Sequence, residues 1–176
     1  MTEINKNTLK FFFLILVLIL VQVVGLNHFC LYGLAMAFAY IYVILHLPLD
    51  LNQNWVLTIG FFIGLIIDIF SDTIGICALS CTIISALRKP VLRLYLLREE
   101  DLIDPCPSMA SLGFSIFAKY AFAMSLIYCT CVYVIESFSF FHPIKLIPQI
   151  LASALLTWIV LLVIDSIVSR SNDKRS

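Results

Sequence analysis

Asp68 is the residue in this chain whose type and placement first suggest chemistry. It interrupts the apolar run Gly64-Leu65-Ile66-Ile67-Asp68-Ile69-Phe70. A carboxylate exposed to lipid costs about 2.5–3.5 kcal/mol or more, so such a group faces the interior of a helix bundle or a wet cavity. Gly60, Gly64, Asp68 and Asp72 recur at every fourth position and form one slowly drifting stripe on a helix. The first two make Gly60-Phe61-Phe62-Ile63-Gly64, a small-xxx-small face that lets another backbone approach closely. Two uses of the stripe are open. In one it is a docking surface for a partner, with Asp68 accepting hydrogen bonds from a neighbouring helix or turn. In the other the glycines pack within the chain and Asp68 caps the short turn at Thr73 to Gly75.

Other reactive side chains form no catalytic pattern. His28, His46 and His142 make no His-x-x-x-His pair, and no serine lies in a Gly-x-Ser-x-Gly context. His46, next to Pro48, reads as an interface residue. The cysteines Cys30, Cys77, Cys81, Cys106, Cys129 and Cys131 match no zinc or redox spacing and read as small apolar packing residues. No enzymatic activity, metal or cofactor is expected.

The elements that must position these residues are set by solvent. Of 176 residues, 62% are hydrophobic and 12% charged, against about 25% charged in an ordinary soluble domain. Mean hydropathy is +1.06. A soluble domain of this size could not cover so much apolar surface without large exposed patches. The expectation is an all-α polytopic membrane protein with about six transmembrane helices. A cytoplasmic segment (1–10), a membrane domain (11–168) and a cytoplasmic tail (169–176) make up the chain. Lys6 and Lys10 precede an apolar run with no small-x-small cleavage site after it, so that run reads as a retained first span.

Spans need about 20 apolar residues. The candidates are 11–26, 29–47, two short ones of about 16 and 14 residues within 55–87, then 112–135 and 144–168. The stretch 55–87 is too long for one crossing. It reads as two short spans joined by a tight turn at Ser71 to Gly75, with a re-entrant hairpin as the rival. Residues 88–111 read as one long polar connection containing a short basic helix at the headgroup surface, with Arg88, Lys89, Arg93 and Arg98 as its cations. Six spans place Lys6, Lys10, Arg88, Lys89, Arg93, Arg98, Lys119, Arg170, Lys174 and Arg175 on one side. Of the 11 Lys and Arg residues only Lys145 falls opposite. That asymmetry assigns both ends and the 88–111 loop to the cytoplasm.

The run Gly60-Phe-Phe-Ile-Gly64-Leu-Ile-Ile-Asp68-Ile-Phe-Ser71-Asp72-Thr73-Ile-Gly75-Ile-Cys-Ala-Leu79 resembles the signature of the bacterial rod shape-determining MreD family. That signature is Gly-x-x-x-Gly-Leu-x-x-Asp, a small-residue turn, then Gly-Leu/Ile and an apolar helix. The close match covers roughly 48–93, and the length and six-span layout agree over the whole chain. Relatives often carry a small residue and Pro in the turn, where this chain has Asp72-Thr73-Ile74. The resemblance implies a non-enzymatic scaffold of the cell-elongation machinery in the bacterial inner membrane. Its partners would be an MreC-like protein and, through it, MreB, RodA and a peptidoglycan transpeptidase; no nucleic acid is expected. It also implies an architecture similar to the substrate-binding membrane subunits of vitamin transporters, which supplies the alternative function. A solute site would draw on Asn27, His28, Asp68, Asp72, Glu136 and His142, a thin set for a small-molecule pocket.

Overall fold

A helix packed in lipid reverses the soluble pattern, with large apolar side chains outward and small or polar ones inward. The last helix does this along its length. Ile147, Leu151, Leu155, Ile159, Val163 and Ile167 are exposed at every fourth position, while Ser153, Ala154, Thr157, Leu161 and Asp165 are buried on the opposite face. The computed structural model describes residues 15–23, 36–73, 75–96, 106–137 and 146–173, and among them there is helix but no strand.

The elements are α1 (15–21, with a π turn at 22–23), α2 (Ile41–His46), α3 (Gln53–Ser71), α4 (Ile76–Tyr95), α5 (Met109–Leu112), α6 (Phe114–Ser137) and α7 (Leu146–Asp173). Among the described residues, three stretches are long and apolar enough to cross a membrane: Gln53–Ser71, Phe114–Ser137 and Ile147–Val168. α3 packs chiefly on α4, and α6 bridges α4 and α7. α3 repeats the reversed pattern, burying Gly60, Ile63, Gly64, Ile67 and Asp68 while exposing Phe61, Phe62, Ile69 and Phe70.

Three expectations change. The two helices within 55–87 are not short. α3 has 19 residues and α4 has 20, each about 30 Å long. α4 gains its length by continuing through Arg88, Lys89 and Pro90 to Tyr95. The polar connection therefore starts later than residue 88: Arg88, Lys89 and Arg93 stand on helix, while Arg98 lies outside the described residues. Finally, a continuous helix over 29–47 is not what forms. Within its described part, residues 36–40 are non-helical and only Ile41–His46 is α-helix. The physical reason is that side chains from neighbouring helices take the place of the missing helical hydrogen bonds, as set out below.

One end of the bundle gathers the polar connections. Lys89 Nζ donates to the Leu51 carbonyl (3.1 Å), tying the end of α4 to the loop before α3. Met109 N–H donates to Asp165 Oδ2 (2.8 Å), tying α5 to the C-terminal half of α7. His46 Nδ1 lies 3.1 Å from the Pro107 carbonyl, joining α2 to the same end.

Candidate functional site

The α3–α4 hairpin is built by two glycines, one carboxylate and a turn. Gly60 and Gly64 both face α4 of the same chain. A Cβ on Gly64 would lie 2.5 Å from Ala78 Cα, 2.6 Å from the Cys77 carbonyl and 2.7 Å from Ala78 N. A Cβ on Gly60 would meet Ser85 Oγ first, then the Cys81 carbonyl at 3.1 Å. The seam is therefore backbone on backbone at Gly64 and backbone on a small side chain at Gly60.

The turn uses left-handed backbone twice. Asp72 ends α3 at φ 55°, and Gly75 precedes α4 at φ 75°. Left-handed backbone costs an ordinary L-residue roughly 1–2 kcal/mol, and glycine avoids it at position 75. Glycine, however, has no side chain with which to cap α4. Asp68, one turn before the end of α3, supplies the cap from outside. Its Oδ1 accepts from Cys77 N–H (2.9 Å) and Thr73 Oγ1 (2.6 Å), and its Oδ2 accepts from Ala78 N–H (2.8 Å). These are the second and third N–H groups of α4, which a cap residue ordinarily satisfies, and the positive end of the helix dipole favours the carboxylate there. Asp68 is 5% exposed, and its charge is spent inside the hairpin. Asp72 and Gly75 are exposed at the turn.

Two further buried charges are likewise met by neutral groups. Arg88, fully buried, donates through its two terminal nitrogens to the Ile44 carbonyl (3.0 Å) and the Pro48 carbonyl (2.8 Å). These are carbonyls at and just beyond the C-terminal end of α2, where a cation is favoured. Asp165, also fully buried, accepts from Tyr42 Oη (2.9 Å) and Met109 N–H. Taking these charges out of a lipid-facing position removes most of the insertion cost they would otherwise carry.

The non-helical segment at 36–40 has its own polar lining. Gln22 acts as a two-point clamp: its Nε2 donates to the Ala37 carbonyl (3.0 Å) and its Oε1 accepts from Ala39 N–H (2.9 Å). Met36 N–H donates to Ser153 Oγ (3.1 Å) and Phe38 N–H to Thr157 Oγ1 (3.2 Å), both on α7. The hydroxyls of Tyr40 and Tyr128 bond each other, and Phe38 packs edge-on to both rings. Irregular backbone survives at membrane depth only when buried and satisfied in this way. Gln22→Leu removes both clamp bonds, so we expect the unfolding free energy in detergent micelles to fall by about 2–4 kcal/mol. A denaturant titration reading less than about 0.5 kcal/mol would show the segment is held elsewhere.

Of the residues singled out in the sequence, the structure brings together Gly60, Gly64, Asp68 and Gly75, with Asp72, in one hairpin. Glu136 is exposed near the end of α6, and Asn27, His28 and His142 lie outside the described residues. Residues missed by sequence reasoning are Gln22, Tyr42, Ser153, Thr157 and Asp165. Their signal was present: Ser153, Thr157 and Asp165 sit four and eight apart on one helix face, and Gln22 is a lone amide in an apolar run. Among the described residues, no three His, Cys, Asp or Glu side chains converge as metal ligands would. No family model, curated protein or solved structure matches the chain.

Proposed function

We propose that this chain is a non-enzymatic, multi-pass membrane scaffold of the bacterial cell-elongation machinery, similar to MreD proteins, spanning the inner membrane six times with both ends cytoplasmic. The observation that carries the proposal is the α3–α4 hairpin. The stretch on which the resemblance rests, roughly 48–93, folds as one internally clamped unit in which Gly60, Gly64, Asp68 and Gly75 each have a distinct structural task. A rigid hairpin with an outward apolar face suits a part that holds other membrane proteins in register. With the glycines and Asp68 committed to α4, contact with an MreC-like protein would fall on surfaces the hairpin leaves outward.

The orientation is tested with fusion reporters. Reporters after Ser176 and within 99–104 should read cytoplasmic, and one at Ser139 external. An external C-terminus would reject the six-span arrangement. The function is tested by affinity recovery of the full chain from mildly solubilised membranes. Recovery of an MreC-like protein with RodA and a transpeptidase is expected.

The alternative, a substrate-binding subunit of a small-solute transporter, is favoured by one observation. Residues 36–40 are non-helical backbone leading into α2, and in transporters unwound backbone of this kind lines solute sites. Its Met36, Phe38 and Ala39 N–H groups are already taken by Ser153, Thr157 and Gln22, which places this reading second. Recovery of an energising ATPase module in place of wall-synthesis proteins would reverse the order.

A further inference from the structure

Two polar atoms at the seam of α4 and α6 are buried without a partner. Arg88 and Tyr120 are both fully buried. Arg88 commits its two terminal nitrogens to the Ile44 and Pro48 carbonyls, but among the described residues its Nε–H meets no acceptor. The Tyr120 hydroxyl likewise meets neither donor nor acceptor there. Helix packing brings the two together. α4 packs on α6, and Cys81 of α4 is hydrogen-bonded to Tyr128 of α6. Arg88 lies seven residues after Cys81, and Tyr120 lies eight before Tyr128. On antiparallel helices both steps are about two turns toward the same end. The Arg88 charge and the Tyr120 hydroxyl interact electrostatically across this seam, with no direct hydrogen bond between them. A buried donor left unmade is costly, and at membrane depth no bulk water serves it.

We infer that one buried water molecule joins the two helices here, accepting from Arg88 Nε–H and hydrogen-bonded to Tyr120 Oη. Two observations choose this occupant. The guanidinium N–H can only donate, while a phenol can donate or accept, and water can take the first proton and turn either way toward the second group. A buried water makes about two to four hydrogen bonds, and these atoms supply two. The guanidinium is also already faced by the Ile44 and Pro48 carbonyls, at and just beyond the end of α2. Those negative dipole ends offset its charge and would repel an anion in the same place. The bridge gives Arg88 a third hydrogen-bonded direction and ties α4 to α6 at the level where α2 ends. It belongs to the bundle itself and does not depend on the scaffold reading.

The first test uses the full chain in detergent and needs no variant. A brief X-ray pulse makes hydroxyl radicals from water wherever it sits, and a side chain beside a bound water is oxidised in place. Tyr128 is the control, as buried as Tyr120 but with its hydroxyl bonded to Tyr40. Tyr120 should be oxidised faster than Tyr128, and equal protection of the two would overturn the site. The second test reads Arg88 itself by solid-state NMR in bilayers. Changing Arg93, Arg98, Arg170 and Arg175 to lysine leaves Arg88 as the one arginine, so isotope-labelled arginine gives a single Nε signal. Magnetisation should pass from water to that nitrogen. Tyr120→Phe keeps the ring, removes one of the water's two partners and should lose most of the transfer. Unchanged transfer in a folded Tyr120→Phe would overturn the bridge. If that variant fails to fold, the oxidation contrast in the parent chain still decides. A shift of the Nε signal on exchanging chloride for bromide, without transfer from water, would overturn water in favour of a bound halide.

Discussion

Replacing Asp68 with leucine is expected to cost this protein its hairpin. The substitution removes the acceptor of three hydrogen bonds, two from α4 backbone N–H groups and one from the Thr73 hydroxyl. Orphaned buried donors cost about 1–3 kcal/mol each, and only part of that is returned by no longer burying a carboxylate. We expect a net loss of about 3 kcal/mol or more and a clear fall in folded protein in the membrane. The side chain's two oxygens allow a graded series. Asp68→Asn can keep the oxygen that serves Thr73 and Cys77 and lose only the one that serves Ala78, so it should fall between parent and leucine variant. Thr73→Val removes one hydroxyl donor and should cost about 1 kcal/mol. Hydrogen exchange gives a local check: the Cys77 and Ala78 amides should lose protection in Asp68→Leu ahead of the amides of α6. A leucine variant as stable as the parent would show that the carboxylate does not hold α4.

The same series separates the two uses of Asp68 that the sequence leaves open. If the carboxylate serves only as a cap, partner recovery per folded molecule is unchanged in Asp68→Asn, however much total protein is lost. If it also serves a partner, recovery per folded molecule falls. Abundance and co-purification measured on the same membranes therefore give different answers for the two cases.

The hairpin was legible because its signals are local. Two glycines four apart, an acid in an apolar run and a glycine after the turn are read within 16 residues, from Gly60 to Gly75. The break at 36–40 was not legible, because two of the groups that hold it come from far away in sequence. Ser153 and Thr157 are separated from their partners by 117 and 119 residues. A hydropathy window sees only that 29–47 is apolar, and an apolar run reads as helix by default. The extent of α4 failed for a related reason. Arg88 in sequence marks the end of a span, since the cations Arg88 and Lys89 belong at the headgroups. In the structure it is fully buried because the carbonyls of Ile44 and Pro48 lie where α2 ends, and that placement depends on tertiary packing. The run of hydrophobicity thus fixes which helices can face lipid, while polar groups far apart in the chain decide where helices break and how far they extend.

The two glycines of α3 should respond unequally to the same added methyl group. At Gly64 the three nearest atoms to a new Cβ are all α4 backbone, at 2.5, 2.6 and 2.7 Å. None can rotate away, so the helices must separate, and separation also pulls the Cys77 and Ala78 N–H groups off Asp68. Overpacking alone costs about 1–3 kcal/mol. With the cap loosened, Gly64→Ala should lose about 3 kcal/mol or more, and Gly64→Val more still, because a β-branched side chain cannot lean out of the seam. At Gly60 the first atom met is Ser85 Oγ, a side-chain hydroxyl that is buried and has no hydrogen-bond partner. It can turn aside or be removed. Gly60→Ala should therefore cost less than Gly64→Ala, and adding Ser85→Gly should restore part of the loss by clearing the hydroxyl and its Cβ. No second-site change of side chain can do the same for Gly64→Ala, since Ala78 offends through its backbone. Thermal unfolding of Gly60→Ala, Gly64→Ala, Gly60→Ala with Ser85→Gly and Gly64→Ala with Ala78→Gly, all in one detergent, decides the matter. A rescued Gly60→Ala beside an unrescued Gly64→Ala is the expected result. Equal losses at the two positions, or a rescue of Gly64→Ala by Ala78→Gly, would mean that α3 and α4 are not seated as closely as this seam requires.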